Sequence, residues 1–422
     1  MNHVYKVVFN RSLGLWQAVS ELARGHSKSG RSGRKLRAPG SRVGNLLVSL
    51  SLAAVAAPGL AQTWNGSVDN FWITNGNWNG GTAPNVAGAA VIIDDTDPSI
   101  AASKTITLGA SYRLGSLSVS STRAALNTVV LAGGTLNFDN GTGLATLDLV
   151  GRRNLSITSA IAMASDLRIT NGSTDGGVLT IGALSGGGHI LTFNTVAGAR
   201  INSAGNITNT PTIHKTGSGT LSLTGSNTFA AGSNFYFDAG TLAFNAAAAL
   251  GNANLTIVMA NGGNQVFDIS GAAGTVSLNN RFVLADSFNL EGGSAGRSLT
   301  LNAGQVTDLT GLLAINVGST AATTLTFGGT FYLQGAGSLR KAGVGALALI
   351  SPNNTFSGGL VINQGIVTTG SGSDLAVAQV LAGTEGTLHY VGTGNITLID
   401  PSARLNIVQG GAGIVQIGNA DG

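Results

Sequence analysis

Beyond residue 62 the chain alternates apolar and polar residues in short runs that stop at Gly or Asn. Thr105-Ile106-Thr107-Leu108, Leu117-Ser118-Val119, Thr135-Leu136-Asn137-Phe138, Thr180 to Gly182 and Leu221-Ser222-Leu223 are examples. A period of two with Thr and Val enrichment predicts strands whose alternate side chains enter a core. Helical periodicity is nearly absent; the nearest candidate, Asn245 to Leu250, reads as a short turn or corner packing. One strand every ten residues or fewer predicts an all-β chain, either a stack of sandwiches or a β-solenoid.

Internal repetition favours the solenoid. Lys215, Gly217, Gly219, Leu221 and Leu223 recur as Lys341, Gly343, Gly345, Leu347 and Leu349. Asn227-Thr228-Phe229 recurs as Asn354-Thr355-Phe356, and Gly232 and Gly240 recur as Gly359 and Gly365. These segments, at about 213–244 and 338–367, resemble the passenger-associated transport repeat of autotransporters, a motif of their parallel β-helices. The second copy departs from the pattern at Ala346, where Thr is usual, and at Ile366-Val367, where Thr-Leu is usual. The resemblance implies a right-handed parallel β-helix. Such a unit cannot bury its apolar face alone and must stack on others. With about 20 to 25 residues per turn, residues 62–422 would make on the order of 15 to 18 turns at roughly 4.8 Å each.

The N-terminus carries a second resemblance. Met1, Asn2, Val4, Tyr5, Lys6, Val7, Val8, Phe9, Asn10, Trp16, Ser20, Glu21, Leu22 and Ala23 follow the extended signal peptide of Gram-negative autotransporters and related exoproteins, with His3 departing from the usual basic residue. The residues agree on physical grounds. Nine basic side chains between Lys6 and Arg42 precede an apolar run from Leu46 to Ala57. A run of that length suits a signal-peptide core and falls short of the ~20 apolar residues that cross a bilayer. Gly59 and Ala61 supply the small side chains a signal peptidase needs, so cleavage is expected between Ala61 and Gln62. The expected organisation is a leader at 1–61, a cap with first turns at 62–104 and a β-helix passenger at 105–422.

Removing that leader changes the charge. The whole chain is net +4, but the leader holds nine of its 22 basic and one of its 18 acidic side chains, which leaves 13 and 17. The mature part is mildly acidic and gathers no basic stripe, which argues against nucleic acid as a partner. Arg152-Arg153 and Arg340-Lys341 read as isolated, solvated pairs. There is no Cys, so no disulfide closes a loop in the oxidising periplasm. Sixty-four Gly residues would suit disorder, but 9% charged residues and a mean hydropathy of +0.28 point to a chain that folds.

Candidate chemistry is sparse. Gly292-Gly293-Ser294-Ala295-Gly296 fits Gly-x-Ser-x-Gly, but a nucleophile elbow needs a helix after it and Arg297 to Leu301 reads as a strand. His189, His214 and His389 have no partner at metal-ligand spacing. Asp94-Asp95-Thr96-Asp97 is the densest acidic cluster; acid/base work or Ca²⁺ binding is one reading, and a solvated loop before Pro98 is the favoured one. Trp64, Trp72 and Trp78 form either a sugar-binding platform or, as favoured, a cap over the open end of the solenoid. No catalytic, cofactor-binding or metal residue is assigned.

The resemblances imply a protein exported across the inner membrane to the cell surface, outer membrane or extracellular space. Its partners would be the inner-membrane secretion machinery and an outer-membrane β-barrel translocator, with a host surface or a second copy as a further partner. The expected function is a non-enzymatic rod for adhesion, aggregation or display. A β-helix carbohydrate-active enzyme and a two-partner-secreted exoprotein are the alternatives, the latter lacking its Asn-Pro-Asn motifs here. A complete autotransporter ends in an outer-membrane barrel, which Asn419 to Gly422 do not reach, so truncation is expected.

Overall fold

The computed structural model describes residues 61–369, apart from 124–125, 252, 261, 304–306, 319, 352–353 and 357, together with the strands Tyr5–Asn10, Leu15–Ser20, Val380–Tyr390, Asn395–Leu398, Leu405–Gln409 and Ile414–Ile417. It divides into Met1–Val55 and Ala56–Gly422. Within the first unit Tyr5–Asn10 pairs antiparallel with Leu15–Ser20. The leader's apolar run and the last four residues of the chain lie outside the described residues.

Among the described residues the second unit is a parallel β-solenoid of about 11 turns, with almost no helix. The alternation read from the sequence is the alternation of burial. In Thr135–Phe138, Leu136 and Phe138 point inward, and in Ser116–Ser121 Leu117 and Val119 do so. Each strand hydrogen-bonds to its equivalent one turn away, in register. Leu147 stands beside Leu117 on one side and Ile169 on the other, and Phe193 follows Ile169. Inward residues therefore stack into apolar rows that run through the turns and form one continuous core.

Three parallel ladders make the walls. The first holds ten strands, from Gln62–Thr63 to Arg281–Leu284. The second starts at Lys104–Thr107 and continues through Thr220–Leu223, Gly240–Phe244, Gln265–Asp268, Phe288–Glu291, Leu312–Val317 and Ser338–Ala342 to Leu360–Thr369. The third begins with five strands, Ser111–Leu114 to Ile207–Thr208, and continues through the bridge from Thr208 to Thr228. Asn245 to Leu250 is a corner, as expected: Ala247–Leu250 forms one short 3-10 turn that buries Ala249 and Leu250.

The first described turns of the solenoid pack three tryptophans into the core. Trp64 and Trp72 are fully buried and Trp78 nearly so. Trp78 meets Trp64 edge-on at 5.1 Å and Trp72 at 4.7 Å. Each indole N–H is satisfied, by Asp97, the Pro84 carbonyl and the Trp72 carbonyl respectively for Trp64, Trp72 and Trp78. Rings with no exposed face cannot serve as a sugar platform; the three tryptophans are part of the core at the first described turns.

Candidate functional site

The two sequence repeats build the same structure twice. In the first copy the strand Thr212–Thr216 turns inward at Ile213 and Lys215. Lys215 lies in a core row between Phe193 and Phe237, one turn to either side. Its stem runs through the core and its head is fully buried. There Nζ donates to the carbonyls of Thr216 at 3.0 Å, Gly217 at 2.8 Å and Ala239 at 2.9 Å. Ala239 is 24 residues on, in the next turn. The lysine therefore fastens its own corner to the corner above.

Lys341 repeats this in detail. It occupies the row between Ile315 and Ile362, is fully buried, and donates to Ala342 O at 2.8 Å, Gly343 O at 2.7 Å and Gln364 O at 3.0 Å. Three acceptors match the three N–H bonds of an ammonium. Burial pushes Lys215 down to about 7, partly opposed by Asp238, and Lys341 down to about 8. Both sit far below the usual lysine range because the charged form has lost its water.

The glycines of the repeat follow from the lysine. Gly240 has φ +79° and Gly365 φ +76°. A Cβ at Gly240 would strike the Gly217 carbonyl and lie 2.6 Å from Gly219 O and 2.9 Å from Lys215 Nζ. At Gly365 it would strike the Gly345 carbonyl and lie 2.5 Å from Gly343 O and 2.8 Å from Lys341 Nζ. Only glycine lets the next turn come close enough to share its carbonyls. A second fastening lies at the following corner: Asn227 Oδ1 accepts the Ile207 N–H at 2.7 Å, and Asn354 Oδ1 accepts the Leu333 N–H at 3.0 Å. Phe229 and Phe356 are buried beside them.

The copies do not share a face. Lys215 lies on the first ladder, whereas Lys341 lies on the second, in register with Ile315, Phe288, Gln265 and Gly240. The second copy is thus advanced by one face of the prism. The clamp is a property of the repeat, independent of the wall on which it falls.

The charged residues singled out in the sequence are mostly engaged. Arg153 and Lys341 are buried, correcting their reading as solvated pairs; each is at an inward position of its strand. Asp95 also departs from the solvated-loop reading. It holds Arg123 at 3.1 Å and Arg153 at 2.8 Å and accepts from Ser121 and Thr122. Burial raises its carboxyl, but these hydrogen bonds outweigh that and hold it below the usual range. Asp97 is 1% exposed and caps the short 3-10 turn Pro98–Ala101. Lys104 at 2.6 Å, with Ser99, keeps it ionised against its burial. Thr96 is exposed and Asp94 half-buried.

His214 stacks on Tyr236 at 4.8 Å and lies 3.2 Å from Asp238, and His189 lies 3.6 Å from Asp166. The side chain of His389 lies outside the described residues. Gly292 to Gly296 form a turn that leads into the strand Ser298–Leu301. Among the described residues no three His, Cys, Asp or Glu side chains gather as metal ligands.

Known proteins agree with this architecture. Residues 1–50 match the Extended Signal Peptide of Type V secretion system, and residues 213–244 and 339–368 match the passenger-associated-transport-repeat. The Adhesin BmaC autotransporter of Brucella suis biovar 1 is 25% identical over 275 residues, which is 61% of this chain and 8% of that protein. This chain thus spans a small part of that relative's length. No solved structure matches. A leader that matches type V secretion and two transport repeats on a parallel solenoid are features that type V exoproteins share. By these matches the chain resembles an autotransporter passenger, and its leader match supports export to the cell surface or the extracellular space. The type V secretion family that the leader matches implies an inner-membrane secretion machinery and an outer-membrane barrel.

Proposed function

We propose that the passenger is a non-enzymatic rod that acts outside the cell in adhesion, aggregation or display. The observation that carries this reading is the use of the inward charges. Lys215, Lys341, Arg153 and the Asp97–Lys104 pair tie turns or corners together instead of lining a reaction centre. The relative's printed name, an adhesin, points the same way. The host surface or a second copy of the chain is the partner on this reading.

The direct test compares Gram-negative cells that display the full chain fused to an outer-membrane barrel with cells that display the barrel alone. Displaying cells should aggregate or adhere to host cells at least about tenfold more. Equal adhesion and equal settling, with the passenger detected at the surface, would count against the proposal.

Cleavage between Ala61 and Gln62 belongs to the same reading. Its support is positional: among the described residues of the second unit Gln62 is the first to join a ladder, beside Val91, while Ala61 is exposed. N-terminal sequencing of the exported protein should begin at Gln62. A start beyond Thr63 would remove the first strand and overturn the assignment.

A further inference from the structure

On the second ladder, outside the clamp of Lys341, the wall carries a groove of about 400 Å³ that crosses five successive strands or corners, from Gln265 to Gln364. Its polar lining is almost all amide: Gln265, Asn289, Asn316, Asn363 and Gln364, with Arg340 as the single cation. Asn289 and Asn316 are register partners in adjacent turns, so their amides repeat along the axis at about the 4.8 Å strand spacing. Resting on the adhesive reading above, we propose that this groove binds an acidic oligosaccharide laid along the solenoid axis, with a carboxylate of the sugar on Arg340.

The cation of the groove points to an acidic ligand. Arg340 is half-buried on the groove wall, and no carboxylate among the described residues lies within ion-pair distance of it. A guanidinium presented this way offers a two-pronged fit to a carboxylate.

The ligand class follows from the lining. Each amide offers both a donor and an acceptor, as each sugar hydroxyl does. An extended peptide gains affinity by adding a strand to a sheet edge, and no edge is available, because every strand of this wall is paired on both sides. Nucleic acid would need several cations, and the groove has one. Polarity is set as well. Asp286 lies 3.4 Å from Gln265 Nε2 at the far end of the groove from Arg340, so an acidic sugar is admitted with its carboxylate toward Arg340.

The test is calorimetry on the full chain with two probes, hyaluronan hexasaccharide and chitohexaose, which share N-acetylglucosamine and differ in carboxylates. The acidic probe should bind at least tenfold more tightly. Arg340→Gln should erase that difference and leave chitohexaose binding unchanged, and Asn316→Leu should weaken both probes tenfold or more. Asn363→Leu gives the same test of the amide row should Asn316→Leu lose its strand circular dichroism. Absence of binding by the acidic probe, or unchanged affinity in Arg340→Gln, overturns the site. The parent reading is judged separately. Undiminished adhesion by cells displaying Arg340→Gln sinks the groove and spares the adhesive rod; hexasaccharide binding without adhesion does the reverse.

Discussion

Gly240→Ala should destabilise the solenoid by about 3 kcal/mol or more, and Gly232→Ala by only about 1. Both positions have positive φ, +79° and +83°, and an alanine there costs roughly 1–2 kcal/mol for its backbone alone. Their surroundings differ. At Gly232 nothing lies within 4 Å of an added Cβ, so only the backbone cost applies. At Gly240 the new atom meets two carbonyl oxygens of the preceding turn and the buried ammonium of Lys215. Those atoms are packed in the wall, and relieving the overlap by moving them costs a further ~1–3 kcal/mol. It also draws the Ala239 carbonyl away from the lysine. Urea unfolding of the chain, followed by circular dichroism, measures both variants. Gly365→Ala should match Gly240→Ala, because the same contacts recur around Lys341. Equal losses at Gly232 and Gly240 would show that the close approach has no energetic weight.

Much of this was legible in the sequence, and the remainder failed for identifiable reasons. Period-two alternation located the strands, since the inward rows are apolar and register is fixed by which side chains enter the core. The repeats located the turn glycines and the corner asparagines. What misled was charge. Lys215 was not read as buried, nor were Arg153 and Lys341, yet each has the parity of its strand's core residues: Ile213 for Lys215, Leu155 and Ile157 for Arg153, Leu339 for Lys341. Lys104 shares parity with Ile106 in the same way. A cation in phase with a core row was the available signal. Its partners were out of reach. The carbonyl of Ala239 and the carboxylate of Asp95 come from other turns, and corner lengths vary, so spacing along the chain does not say which corner lies above which. The one-face advance of the second repeat was hidden for the same reason. The groove was hidden too, because its amides are scattered from residue 265 to residue 364 and become neighbours only when the turns stack.

Lys215→Met should lower stability by roughly 2–4 kcal/mol at neutral pH and flatten its dependence on pH. Methionine replaces the stem and fills the core row between Phe193 and Phe237, so little apolar packing is lost. The loss is polar. Three carbonyls give up a charge-assisted donor, and hydrogen bonds to a charged group contribute about 1.5–3 kcal/mol each, offset in part by the cost of burying an ammonium that no longer has to be met. The sign of the pH effect follows from the direction of the shift. The folded-state value of Lys215 is about 7 and that of an ordinary lysine 10.5. Below about 7 both states hold the proton, and stability does not change with pH on this account. Between about 7 and 10.5 the unfolded chain retains a proton that the folded chain releases, so stability rises with pH, by about 1.4 kcal/mol per unit for one lysine. Lys341 adds the same slope from about 8 upward. Asp95 and Asp97, held below 3.8, titrate outside this window. Urea midpoints of the wild type should therefore climb from pH 7 to pH 10, those of Lys215→Met should climb less and only from about pH 8, and those of the double variant Lys215→Met, Lys341→Met should stay level. A wild-type midpoint that falls or stays flat across this range would mean that both ammonium groups keep their protons. The three carbonyls of each clamp would then hold the charge more firmly than burial disfavours it.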